Sequence, residues 1–257
     1  MDKVVLKNVE ELEVMRESGR LLASVFDYLD EKIKVGISTM DINDLAERYI
    51  VDQLGARPAS KGQYGYQYAL NTSVNNVVCH GIPSDNQILK SGDIVNVDIT
   101  LEQGGFIADS SKMYLIGEVL PLARRLVDKT YKAMWEGIRA VKPGATLGDV
   151  GHAIQSYAEQ QGYSVVREYC GHGIGREMHE EPQVLHYGHQ RKGLVLQEGM
   201  TFTIEPMINQ GKAKVKVKKD GWTVITNDKK LSAQWEHTIA VTSDGYEVLT
   251  LRNDETI

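Results

Sequence analysis

The chain contains a weak copy of itself, and the two copies align acid with acid. Leu89-Lys90-Ser91-Gly92-Asp93-Ile94-Val95-Asn96-Val97-Asp98 reads again as Leu196-Gln197-Glu198-Gly199-Met200-Thr201-Phe202-Thr203-Ile204-Glu205, with leucine, glycine and the final carboxylate in register. Upstream, Cys79-His80-Gly81-Ile82 answers Gly171-His172-Gly173-Ile174. Further upstream, Gly36, Asp41, Ile42, Tyr49 and Gln53 answer Gly144, Asp149, Val150, Tyr157 and Gln161. A duplication of this length restricts the fold to two similar halves packed about a common axis. Such packing brings histidines and carboxylates together, and buried charges at that density need a cation or protons to neutralise them. The 257 residues could form one large domain or two small ones. The repeat favours a single domain over 1–257, built from two pseudo-symmetric halves.

The formal net charge of −6 argues against a dedicated nucleic-acid binder, because counterion release rewards a basic face. No DNA partner is expected. Two cysteines, Cys79 and Cys170, are too few for a secreted disulfide scaffold and fit reduced thiols in the cytoplasm. The segment Met1 to Lys7 lacks an apolar stretch of signal-peptide length, and no later run is long enough to span a membrane. A soluble protein without a membrane partner follows.

From Val9 to Ile33, Leu12, Met15, Leu22, Val25, Phe26 and Leu29 recur at helical spacing behind an Asn8/Glu11 capping-box pattern. A second helix opens at Ser38 or Thr39 and closes at Gly55. Pro121 to Val141 and Thr146 to Gln161 repeat that helix pair. Strand-like runs follow each pair: Ile94 to Leu101 and Phe106 to Ile116, then Met200 to Ile208, Trp222 to Ile225 and Glu236 to Leu251. Helix pairs alternating with hairpins predict an α+β fold, with the halves sharing one continuous sheet.

Asp98 and Asp109 are equidistant from Gln103-Gly104, where a two-residue turn fits. Simple register then opposes them, with Cβ atoms about 4.5 to 5.5 Å apart, a repulsion that a bound cation removes. A slipped register with each aspartate facing water competes with this reading. The repeat shifts the balance. Glu205 stands where Asp98 stands in the first half, and Glu236 in Trp235-Glu236-His237-Thr238 corresponds to Asp109 in Ala108-Asp109-Ser110-Ser111. His172, flanked by glycines, adds an imidazole. Four carboxylates and one imidazole suit two divalent ions of the manganese, iron or cobalt kind better than a lone structural zinc, which prefers thiolates.

Five motifs in order now carry a resemblance: Val97-Asp98-Ile99-Thr100, Ala108-Asp109-Ser110-Ser111-Lys112, Tyr169-Cys170-Gly171-His172-Gly173-Ile174-Gly175-Arg176, Thr203-Ile204-Glu205-Pro206-Met207 and Trp235-Glu236-His237-Thr238. Along almost its whole length the chain resembles the type I methionine aminopeptidases. The resemblance implies the pita-bread (creatinase/aminopeptidase) fold, in which pseudo-twofold duplicated helix pairs lie on a curved antiparallel sheet. It implies a dinuclear site ligated by Asp98, Asp109, His172, Glu205 and Glu236, holding iron, manganese or cobalt, with zinc also accommodated. The implied activity is hydrolytic removal of the initiator methionine from nascent polypeptides, with a small second residue preferred. Glu205 would double as proton shuttle, His179 would stabilise the tetrahedral oxyanion, and His80 would steady the scissile amide. Symmetry alone would make His80 a ligand like its repeat partner His172; the resemblance makes it a substrate contact.

By the same resemblance, Ser60, Gln63, Tyr66, Asn71, His80, Met178 and Trp222 line the methionine pocket or its mouth. Tyr66 and Trp222 suit a thioether. Several family members carry cysteine or aromatic residues where this chain has Ser60, Gln63 and Asn71, which implies a more polar pocket. Ordinary loop packing competes as an account of Tyr64 and Tyr66. A sodium or potassium ion at the carbonyls of Asn75, Val77 and Ser232, and a monomeric enzyme, are also implied. Lys212, Lys214, Lys216, Lys218 and Lys219 form either the solvated face of a hairpin or a transient ribosome contact. The closest rival is a proline-specific peptidase of the same fold, either aminopeptidase P or prolidase. A silent binding protein and a structural metalloprotein are the rivals of other classes.

Overall fold

The computed structural model describes residues 4–256. Met1 to Lys3, part of the stretch read for a signal segment, lie outside the described residues. Each half begins with the expected pair of helices. Helix α1 (Val9–Asp30) is started by a reciprocal cap: Asn8 Oδ1 accepts the Glu11 N–H at 2.9 Å, and the Glu11 carboxylate accepts the Asn8 N–H at 3.1 Å. Helix α2 (Thr39–Arg48) and helix α4 (Leu147–Gln160) use the same device, with Ser38 paired to Asp41 and Thr146 to Asp149. The repeated Asp41 and Asp149 are thus cap residues, and the repeat preserves how these helices begin. Helix α3 (Pro121–Arg139) starts on proline, whose missing N–H would have no helical partner there. The expected helices were too long at their C-terminal ends by two or three residues at Ile33 and Val141. Beyond Arg48 the expected second helix continues as a wider π-helical turn, Tyr49–Gln53, before Gly55 leaves it at φ 62°.

In the first half, strands Ile94–Gln103 and Phe106–Leu115 form a long hairpin, extended by Leu70–Val74 and Arg57–Pro58 into a four-stranded antiparallel sheet. Leu22, Val25, Phe26 and Leu29 of α1 pack on Leu70, Val97 and Ile99. Full burial of each such side chain is worth roughly 1.5–3 kcal/mol. In the second half, Thr201–Ile204 lies between His237–Val241 and Gly171–Gly173 in a five-stranded antiparallel sheet. Its core joins Phe202, Ile204 and Ile239 to Met134, Ile138 and Ile154 of the second helix pair. At Gly19 of α1 a Cβ would lie 2.0 Å from the Leu249 carbonyl oxygen, so glycine is what lets the C-terminal segment cross the helix.

The expectation of one continuous sheet is corrected. The described strands form four sheets, and the two largest are joined at an isolated bridge, where Glu236 N–H donates to Ser111 O at 3.2 Å and Ser111 N–H to Glu236 O at 3.4 Å, and beside it by Thr238 Oγ1, which accepts the Asp109 N–H at 3.0 Å and donates to the Asp109 carbonyl at 2.8 Å. The expected strand Met200 to Ile208 divides into Thr201–Ile204 and Met207–Asn209, because Pro206 has no N–H with which to continue the ladder. The run Glu236 to Leu251 divides into His237–Val241 and Tyr246–Val248 around a turn in which Thr242 Oγ1 accepts the Gly245 N–H. The run Trp222 to Ile225 gives the strand Val224–Thr226, with Trp222 left in the preceding turn. No helix among the described residues is long and apolar enough to cross a membrane.

Candidate metal centre

The first hairpin turns on Gly104 and Gly105, at φ 60° and 80°, a pair of positive values that suits a two-residue hairpin loop. The expected turn was one residue earlier, so the expected pairing was wrong by two. Asp98 lies opposite Ser111, and Asp109 opposite Thr100. Because side chains alternate with a period of two, the shift leaves both aspartates on one face as diagonal neighbours. Direct opposition is replaced by a looser spacing, and the face they share lines a cavity of about 710 Å³.

His172 reaches that cavity from the short strand Gly171–Gly173. A Cβ on Gly171 would sit 2.4 Å from the Thr203 carbonyl oxygen, and one on Gly173 2.1 Å from that of Glu181, so this strand fits between its neighbours only as glycine. The His172 Nδ1 lies 3.0 Å from the Gly173 carbonyl, which can only accept. Nδ1 therefore carries the proton, and Nε2 presents its lone pair to the cavity. From Nε2 it is 3.7 Å to Asp109 Oδ2 and 3.6 Å to Glu205 Oε1. Asp109, His172 and Glu236 each offer one donor atom within 4.8 Å of the others. Asp98 lines the same cavity from the adjoining row of the sheet.

Burial dominates the electrostatics of this group. It raises Asp98 to about 7 and Glu205 to about 8, and holds Asp109 and Glu236 well above the carboxylate range, with neighbouring acids adding to the effect at all but Asp98. It lowers His172 to about 4, which keeps the imidazole in its neutral, ligating form. Buried Asp109 Oδ1 has no hydrogen-bond partner among the described residues. A divalent cation answers each of these observations: it offsets the crowded charge and takes the free lone pairs of Asp109 and His172. The donor set fits such an ion.

Glu205 is held from three sides. Thr203 Oγ1 donates to Oε1 at 2.8 Å, Gln234 Nε2 approaches Oε2 at 3.3 Å, and the Glu205 N–H donates to His186 Nε2 at 3.1 Å. None of these three partners was singled out from the sequence. Thr203 and Gln234 could have been found, since each stands two residues before a proposed ligand and so on the same strand face. His186, in Leu185-His186-Tyr187, belongs to no pattern.

His80 lines the cavity at φ 55°, its ring edge-on to Tyr169 at 5.6 Å, and lies outside the close group around its repeat partner His172. His179 packs edge-on to His172, with ring centroids 4.5 Å apart, and stacks on Tyr64 at 6.0 Å. Burial lowers the pKa of both histidines. Tyr66 and Trp222 meet at 5.1 Å in the same cavity, with Ser60, Gln63, Asn71 and Met178 also on its wall. Asn75 and Ser232 are brought together by a 2.9 Å bond from Ser232 N–H to the Asn75 carbonyl, with Val77 beginning the neighbouring strand. The five lysines from Lys212 to Lys219 are all exposed.

Residues 13–243 match the model for metallopeptidase family M24. The methionine aminopeptidase of Escherichia coli (strain K12) is 50% identical over 254 residues, which cover 99% of this chain and 96% of that protein. The crystal structure of methionine aminopeptidase from Rickettsia prowazekii superposes with a TM-score of 0.95 at 48% identity, covering 97% of this chain and 100% of that one. The prolidase of Pyrococcus horikoshii OT3 superposes at 0.76 with 23% identity, over 98% of this chain but 65% of its own, a likeness of fold alone.

Proposed function

The chain belongs to metallopeptidase family M24 and has that family's pita-bread fold; on this premise we propose that it is a methionine aminopeptidase, removing the N-terminal methionine of nascent polypeptides whose second residue is small. The observation that carries this reading is the group of Asp109, His172 and Glu236, with Glu205 beside it, in a cavity whose wall also holds His80, His179, Tyr66 and Trp222. Asp98, Asp109, His172, Glu205 and Glu236 would hold two divalent ions. Manganese, iron or cobalt suits this oxygen-rich set, with zinc also accommodated. When bound, such ions supply Lewis acidity toward a peptide carbonyl and toward water.

The side chains do the rest. Glu205, steadied by Thr203 and Gln234, takes a proton from water at one carboxylate oxygen and delivers it to the departing amide nitrogen. His179, whose pKa is lowered by partial desolvation against the cavity wall, donates a ring N–H to the developing oxyanion. His80 hydrogen-bonds the scissile amide. Tyr66 and Trp222 give the thioether an aromatic surface, and Ser60, Gln63 and Asn71 make that pocket more polar. We assign a monovalent cation, sodium or potassium, to the carbonyls of Asn75, Val77 and Ser232.

The enzyme acts in the cytoplasm as a monomer, with residues 1–257 as one catalytic domain. A transient ribosome contact through Lys212 to Lys219 is supported by the exposure of all five lysines on and around the strand Val215–Val217. Charge reversal of these lysines should weaken cosedimentation with ribosomes. The activity is tested with metal-loaded protein on Met-Ala-Ser and on Ala-Pro peptides. Free methionine from the first is expected, and release only from the proline peptides would transfer the chain to the proline-specific branch of the fold.

A further inference from the structure

Glu205 stands where the second-half sheet gives way. The strand Thr201–Ile204 pairs with His237–Val241 as far as Ile204, and Pro206 prevents the ladder from continuing. The main-chain N–H of Glu205 therefore needs another acceptor, since a buried donor left alone is costly. His186 provides one, its Nε2 accepting that N–H at 3.1 Å. A ring nitrogen that accepts from a main-chain N–H carries no proton of its own, so His186 is fixed as the neutral Nδ1–H tautomer. The ring is fully buried, and its Nδ1 has no partner among the described residues. A polar side chain buried with one nitrogen unsatisfied needs a reason to be there. Packing supplies none, because an aliphatic side chain would fill the space without that cost. The acceptor at Nε2 supplies it.

We propose that His186 is a positioning residue for Glu205. It holds the main chain at the point where the carboxylate must meet Thr203 Oγ1 at 2.8 Å and Gln234 Nε2 at 3.3 Å while facing His172 Nε2 at 3.6 Å. The hydrogen bond lies two bonds from the Glu205 Cβ, so releasing it tilts the whole side chain. Small displacements of a reacting group cost large factors in rate. This inference rests on the role given to Glu205 above.

Two substitutions separate the acceptor from the bulk. His186→Gln can return an oxygen to the position of Nε2, whereas His186→Leu keeps volume and removes the acceptor. With Met-Ala-Ser, His186→Leu should lose about 10- to 100-fold in kcat with KM changed by less than about threefold, and bind Mn²⁺ about 10- to 100-fold more weakly by titration calorimetry. His186→Gln should recover most of both losses. Equal losses in the two variants, or none in the leucine variant, overturn the proposal. A third readout needs no variant: a long-range ¹⁵N–¹H imidazole spectrum of the full wild-type chain near pH 7 should show His186 as neutral Nδ1–H. The Nε2–H tautomer, or a doubly protonated ring, overturns the proposal even if the leucine variant does not fold. A wild-type chain inactive on Met-Ala-Ser would sink the activity, while Mn²⁺ affinity and the tautomer would still decide the role of His186.

Discussion

Without divalent cations, this chain should lose stability as the pH rises past neutrality, and with them it should not. Burial raises Asp98 from 3.8 to about 7 and Glu205 from 4.5 to about 8, and holds Asp109 and Glu236 well above their ordinary range. A carboxyl whose pKa is higher in the folded state than in the unfolded one favours the folded state at low pH. That advantage is lost as the pH climbs through the folded value. The buried histidines act in the opposite sense. Burial lowers His172 to about 4 and His186 to about 3 from 6.5, so their stabilisation is present above 6.5 and lost as pH falls below it. Above about pH 6.5 the carboxylates therefore act alone.

From there to their folded values, Asp98 contributes a loss of about 0.7 kcal/mol and Glu205 about 2 kcal/mol, at about 1.4 kcal/mol per pH unit. Asp109 and Glu236 deepen the loss. A fall of about 3 kcal/mol in a chain of this size lowers Tm by roughly 6–12 °C. Calorimetry at about pH 6.5, 7.5 and 8.5, in chelator and in Mn²⁺, reads it directly. The drop should appear in chelator and vanish in Mn²⁺, where the cation replaces the protons. A chelated chain whose Tm is flat or rises across that window would refute the reasoning.

Two further outcomes follow from the same structure. Glu205→Gln keeps the shape of the side chain and removes its basicity, so turnover of Met-Ala-Ser should fall by roughly 10²- to 10⁴-fold while the far-ultraviolet circular dichroism is unchanged; a substantially active variant removes Glu205 from the proton path. Arg252 is 1% exposed and donates to Ser110 Oγ at 3.1 Å and Glu255 Oε1 at 2.8 Å, so Arg252→Met leaves Glu255 without its cation and should cost roughly 3–5 kcal/mol in urea unfolding. A loss below about 1 kcal/mol would show that the buried charge is dispensable.

The helix pairs and the acids were legible in the sequence because both are local signals copied twice. Asp41 and Asp149 sit three residues into matching helix starts, Glu205 stands out as a charge inside an apolar run, and Asp98, Asp109 and Glu236 follow from it through the repeat and the hairpin. Register was less legible. A turn misplaced by one residue, at Gln103-Gly104 instead of Gly104-Gly105, moved every cross-strand partner by two and left the functional face unaltered. The segmentation of the sheets was hidden because it arises at the Ser111–Glu236 meeting of two distant hairpins, which no window of sequence contains. His186 was hidden for a related reason. Its role lies in one nitrogen turned toward a main-chain N–H 19 residues away, and residue type alone does not carry that information.

The account stands on five side chains holding two ions. Crystals of the Mn²⁺-loaded protein, measured for anomalous scattering at the manganese edge, test it most directly. Two peaks are predicted inside the cavity, about 3.5–4 Å apart, with Asp109, His172, Glu205, Glu236 and Asp98 as their protein ligands. A single peak away from His172, or manganese bound outside this cavity, would contradict the account.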